Sequence, residues 1–122
     1  MSKKELVRDI LLSVWRIHIL HHAAHRPVIG QWIIRELRHH GYEVSPGTIY
    51  PLLARMERRG WLVCELDGDG GSKAKREYSL TPLGHDVLAE LRAVVGELHH
   101  EVVEEWEERM GSEHDPASLP DS

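Results

Sequence analysis

A chain of 122 residues with 15 Lys and Arg against 20 Asp and Glu has room for one small domain and hardly more, and carries a formal charge of −5. It holds no apolar run of the roughly 18 residues a bilayer span needs, and Met1-Ser2-Lys3-Lys4-Glu5 lacks the apolar segment of a signal peptide, so a cytoplasmic protein with no membrane partner is expected. A single cysteine, Cys64, excludes an intrachain disulfide framework and agrees with a reducing compartment.

The acidic total hides a segregation. Residues 1–79 hold thirteen Lys and Arg against nine Asp and Glu, whereas residues 80–122 hold two against eleven. Such asymmetry fits a head that approaches phosphate and a tail that stays away from it, although an acidic helix face is equally well explained by solvation alone.

Residues 3–24 read as a first helix, with Leu6, Ile10, Val14, Ile17, His21 and Ala24 on one side at spacings of three and four. Leu11, Leu12, Trp15, Ile19 and Leu20 spread further round the cylinder, so the helix should be covered on more than one side. Its second half carries His18, His21, His22 and His25. At about 100° per residue, His18, His21 and His25 fall within an arc of roughly 60°, with His22 beside it. Pairs at i, i+3 and i, i+4 can share a tetrahedral zinc-type ion, and His99, His100 or Glu104 of the last helix would complete the set. No cofactor is required, but a divalent metal effector is one option. The favoured reading is that these are packed, hydrogen-bonded histidines able to sense pH, since no partners that would orient metal-bound imidazoles are visible.

Arg26-Pro27 breaks the first helix, and Gly30 to His40 makes a second whose Ile33, Ile34 and Leu37 face inward. At its end, His39 and His40 can meet the last carbonyls while Gly41 supplies a left-handed cap. Gln31 and Arg35 are candidates for clamping phosphate.

The run Ser45 to Leu62, SPGTIYPLLARMERRGWL, is a capped amphipathic helix with its own stop signal. Ser45 stands at the N-cap and Pro46 at the first helical position, where a missing N–H costs nothing. Ile49, Leu52, Leu53 and Met56 form a buried stripe, Arg55, Arg58 and Arg59 lie off it, and Gly60 ends the helix. Pro51 removes the bond to the Gly47 carbonyl close enough to the first turn to be tolerated, and reads as structural. Two strands, 61–67 and 74–80, follow, joined by a turn-rich loop. Leu62, Cys64 and Leu66 share one face, Arg76, Tyr78 and Leu80 another, and the apolar members are expected to close over the helices, with Cys64 a buried, inert thiol.

Helix, tight stop, strand and basic hairpin suggest a DNA-reading helix followed by a wing. Base-reading groups belong near the start of such a helix, here Ser45, Gly47, Thr48 and Tyr50. Thr48 can meet a base edge or methyl group, Tyr50 a phosphate, and Gly47 allows close backbone approach. Arg55 lies further along the same side, and Lys73, Lys75 and Arg76 would carry the wing toward phosphate or the minor groove.

Thr81-Pro82 caps a last helix running to about Arg109, with Leu88, Leu91, Val95, Leu98, Val102 and Trp106 in a seam. Such a stripe needs a partner, so dimerisation is the economical explanation. Gly96 weakens the helix by about 1 kcal/mol relative to alanine and is expected to mark a bend or close approach. Residues 111–122 have the composition of a disordered tail.

The run GYEVSPGTIYPLLARMERRGWL, followed by KREYSLTPLG, resembles the PadR-like family of bacterial transcriptional regulators. The SPGTIYPLL block, the Arg-x-Glu-x-x-Gly-Trp-Leu exit and the Lys-Arg-x-Tyr-x-Leu-Thr-x-x-Gly run occur in order. The resemblance implies a mainly α fold with a small β-hairpin: a winged helix-turn-helix domain over residues 1–81, a dimerisation helix over 82–110 and the tail. It carries DNA contact over to Ser45, Gly47, Thr48, Tyr50 and the wing cations. It also places the first helix, with Leu6, Ile10 and Val14, between the winged-helix core and the other subunit. Tyr78 matches the family pattern too, but strand alternation points it into the core. The expected partners are double-stranded DNA with a pseudo-palindromic operator, a second copy of the chain, and a small-molecule or metal effector that releases the promoter.

Enzyme function is not expected: there is no Gly-rich phosphate loop after a strand, no nucleophile elbow and no His-Glu-x-x-His. A metal sensor acting through the first-helix histidines, and a winged helix that binds only protein, are the competing functions. The basic wing and the small residues opening the third helix favour DNA.

Overall fold

In the computed structural model, which describes residues 3–67 and 75–112, α1 (Lys3–His25) ends at the Arg26-Pro27 break. After it come β1 (Val28–Ile29), α2 (Gly30–His39) and α3 (Pro46–Arg58), then the hairpin strands β2 (Leu62–Asp67) and β3 (Lys75–Leu80), and α4 (Pro82–His99). A π-helical segment (His100–Glu105) and the short α5 (Trp106–Ser112) complete the described chain. The 68–74 loop with Lys73, and the 113–122 tail, lie outside the described residues, as does the side chain of Leu6. The chain divides into two units, Met1–Leu88 and Ala89–Ser122. Among the described residues no helix is long and apolar enough to cross a membrane.

The core of the first unit is built from α1, α2 and α3 side chains, with Ile19, Leu20, Ile33, Leu37, Ile49, Leu53 and Met56 at most 1% exposed. A three-stranded antiparallel sheet in the order β1-β3-β2 joins them. The sequence reading finds only the hairpin, because β1 is two residues long and carries no alternation. It pairs Val28 with Tyr78 and Ile29 with Glu77, which ties the start of α2 to the wing. Tyr78 is buried, as alternation requires, and its burial pushes the phenol pKa up.

The hairpin does not close over the helices along its whole length. Leu62 is buried and Cys64 half-buried, but Leu66 is 58% exposed opposite exposed Arg76. Only the base of the wing is covered by the helices, so the expected common apolar face stops at Cys64.

The C-terminal ends of α2 and α3 use the same stop. Gly41 (φ 93°) and Gly60 (φ 80°) adopt the left-handed conformation that a Cβ disfavours. Each sits in paired bonds of the Schellman type, Gly41 N–H to Arg38 and Tyr42 N–H to Leu37, then Gly60 N–H to Glu57 and Trp61 N–H to Met56. His40 meets the Glu36 carboxylate at 3.2 Å rather than a terminal carbonyl. Ser45 takes the extended N-cap position, yet its hydroxyl makes no capping bond and lies 3.4 Å from Thr48 Oγ1.

Thr81 is a fuller cap. Its Oγ1 accepts from Gly84 N–H at 2.9 Å and donates back to the Gly60 carbonyl, which joins the exit of α3, the end of β3 and the start of α4. Gly84 is required there, since a Cβ would strike the Trp61 carbonyl oxygen and the Leu80 side chain.

The last helix runs without a break but changes type. Gly96 lies inside regular α4, and the change begins four residues later at His100. The wider turn brings residues five apart into line, so His99 Nδ1 lies 3.1 Å from Glu104 Oε1, and His100 Nδ1 lies 3.1 Å from Oε2 of the same carboxylate. Contact with Glu104 raises the His100 pKa and lowers that of Glu104. The wider turns of this segment shift the register of the residues beyond His100 relative to a pure three-and-four spacing.

Two glycines of α4 should respond oppositely to alanine. Gly84→Ala is expected to destabilise the fold by about 1–3 kcal/mol through overpacking, whereas Gly96→Ala, with nothing near its added methyl, should stabilise it by up to about 1 kcal/mol. Urea denaturation midpoints of the two variants check this.

Candidate nucleic-acid interface

Burial of Ile49, Leu52, Leu53 and Met56 turns the opposite side of α3 outward, and Ser45, Gly47, Tyr50 and Arg55 are exposed there. Thr48 is half-buried. Most of the sequence-predicted positions fall into two groups.

One group meets at the root of the wing. Gln31 from α2, Tyr50 from α3, and Lys75 and Arg76 from β3 line a cleft of about 280 Å³ with Ile29 and Gly30. Gly30 makes this possible, because a Cβ there would overlap the Tyr50 ring. That close approach of α2 to Tyr50 is invisible in the sequence, where Gly30 reads only as a helix start.

The other group surrounds the first turn of α3. Ser45 and Thr48 line a second cleft with Arg8, Arg38, Tyr42, Glu43 and Val44. Arg38 donates twice to the Val44 carbonyl, from Nε at 3.0 Å and Nη2 at 2.9 Å, which pins the α2–α3 turn. Arg8 of α1 donates from Nη2 to Thr48 Oγ1 at 2.7 Å. Nothing local signals Arg8, since forty residues separate it from Thr48.

Arg35 belongs to neither group. It lines a separate cleft with Arg26, Trp32 and Glu77. Arg55 is exposed further along α3, and Arg59 lies over the Trp61 ring at 5.2 Å. Lys75 and Arg76 are therefore the described wing cations that stand beside α3.

The first-helix histidines pack with aromatic rings from the α2 side. His18 lies 5.3 Å from His40 and 5.8 Å from Tyr42 between ring centres, and His22 lies 5.0 Å from Trp32. His21 and His25 are exposed and adjacent to each other. Among the described residues no group of three or more His, Cys, Asp or Glu side chains converges as a metal site would. Burial lowers the pKa of both His18 and His22, the neighbouring imidazoles lower it further, and Glu36 opposes the shift.

Residues 19–90 match the family described as "Transcriptional regulator PadR-like family". A Mycobacterium tuberculosis protein described as "Transcriptional regulator Rv3488" is 46% identical over 100 residues, covering 80% of this chain and 90% of the relative. Among solved structures, a PadR family transcriptional regulator from Eggerthella lenta is 30% identical with a TM-score of 0.66, covering 85% of this chain and 95% of that one. A PadR-like transcriptional regulator from Bacillus cereus is 28% identical with a TM-score of 0.69, covering 77% and 92%. The fold these comparisons support is the winged helix, and the relatives are regulators rather than enzymes.

The half-buried histidines His18 and His22 set a pH dependence. Because His18 and His22 bind a proton less tightly in the folded chain than at the ordinary value of 6.5, acid favours the unfolded state. Their contribution is complete above that value and is lost as pH falls below it. The urea midpoint should drop between about pH 7.5 and about pH 5.5, and His18→Gln with His22→Gln should flatten the drop.

Proposed function

The chain belongs to the PadR-like family of transcriptional regulators, and on that premise we propose that it binds double-stranded DNA as a homodimer, with α3 in the major groove and the β2–β3 wing on the flanking backbone. The observation that carries this reading is the cleft joining Gln31, Tyr50, Lys75 and Arg76. Four side chains from three elements there offer two cations, a phenol and an amide to one line of phosphates. Thr48 and the exposed backbone at Gly47 then face base edges. Arg55 extends the contact along the groove, and Lys73 would add a further wing cation.

Pairing of two chains is supported by the second unit. Val95, Leu98, Val102 and Trp106 are between 42% and 62% exposed, and Val94, Val103 and Met110 are exposed as well. So much apolar surface on so short a segment calls for a partner surface. Val7 and Ile10 on α1 are also exposed, and Val14 is half-buried. Leu88 is already buried and Leu91 half-buried within the single chain. A two-fold dimer prefers a pseudo-palindromic operator with half-sites about one helical turn apart. Occupying a promoter in this way represses it, and an effector that changes the spacing of the two α3 helices releases it.

Lys75→Ala with Arg76→Ala should weaken binding across all sequences and reduce the salt slope by about 2, while Tyr50→Ala should lower affinity with little change of site preference. Gel-shift titrations at several salt concentrations check both. Leu98→Glu should convert the dimer to monomer in analytical ultracentrifugation; an unaltered sedimentation profile would remove this stripe from the interface.

A further inference from the structure

We infer that Arg8 fixes the hydrogen-bond polarity of Thr48, so that Thr48 acts as a donor toward the DNA and discriminates against cytosine at the base it contacts. The inference rests on the proposed placement of α3 in the major groove.

The bond from Arg8 Nη2 to Thr48 Oγ1 is 2.7 Å, short and charge-assisted. A guanidinium carries donors only, so the threonine oxygen must accept. Arg8 holds one of the oxygen's two lone pairs, the single hydroxyl hydrogen stays free to donate outward, and the remaining lone pair lies beside the guanidinium charge, which disfavours the approach of a second donor. Ser45 Oγ lies 3.4 Å away, at the outer limit of a hydrogen bond. The Thr48 N–H is occupied by the Ser45 carbonyl at 3.0 Å.

In the major groove, guanine presents N7 and O6, adenine N7, and thymine O4 as acceptors. Cytosine presents the N4 amino donor. An approaching amino group would have to share the Thr48 oxygen with a cation and bring its own positive hydrogens beside it. Guanine, adenine and thymine can each take the Thr48 proton; cytosine cannot. Arg8 thus acts through Thr48 as a positioning residue, and it is drawn from α1, outside the helix-turn-helix pair.

Selection of bound fragments from random duplexes, using the full chain, separates this role from simple charge. The native protein should deplete cytosine about threefold to tenfold at one position in each half-site. Arg8→Ala should bring that position to near parity and leave the others unchanged. Arg8→Lys, which also only donates, should keep the depletion. In a Thr48→Val background the depletion should vanish, and adding Arg8→Ala should then change nothing at that position. If Arg8→Ala keeps the native preference everywhere, even while affinity falls uniformly, the inference is wrong and Arg8 is only a phosphate or structural contact. If the native protein enriches no motif, the DNA-reading function itself fails and takes this inference with it.

Discussion

Ile49, Leu52, Leu53 and Met56 place one face of α3 almost wholly inside the first unit, and that burial decides which side of the helix is left to face anything else. Burying such a side chain is worth about 1.5–3 kcal/mol, against about 0–1 kcal/mol for an exposed ion pair. Apolar packing, not charge, therefore sets the roll of α3. The cations and hydroxyls on its outer side follow from that roll, Pro46 after the extended Ser45 opens the helix, and Gly60 marks its end.

Two polar clasps and one close approach turn this anchored helix into a defined surface. Thr81 links the α3 exit to the hairpin and to the start of α4, so the base of the wing is held against the same core that holds α3. Arg38 holds the α2–α3 turn through the Val44 carbonyl. Gly30 lets Tyr50 lie against α2, which brings the phenol beside Gln31 and the wing cations. The basic excess of residues 1–79 and the acidic excess of residues 80–122 complement this arrangement, since phosphate attracts the first and repels the second.

Features set by local chemistry were legible in the sequence. The stripe of α3, the proline at its first position, the two glycine stops, the Thr81 cap and the inward Tyr78 each depend on residues within a few positions of one another. Features made by distant contacts were not. A two-residue strand such as Val28–Ile29 has no period to read, and it exists only because Tyr78 and Glu77 pair with it. The exposure of Leu66 reflects how far the helices reach along the hairpin, which alternation cannot convey. Arg8 and Gly30 gain their roles from partners in another element. The π-helical segment left one trace, the His99 and Glu104 spacing of five, that a search for threes and fours passes over. The fold splits the histidine arc on α1: His18 and His22 pack against His40, Tyr42 and Trp32, which arrive through distant contacts, while His21 and His25 stay exposed.

Central to the account is a paired reader in which each copy sets α3 and its wing against the same side of the duplex. Hydroxyl-radical footprinting on a selected operator tests this most directly. The account predicts two protected patches on one face of the helix, about 34 Å apart and related by the operator's two-fold axis. A single patch, or no protection at low ionic strength by a folded protein, would contradict it.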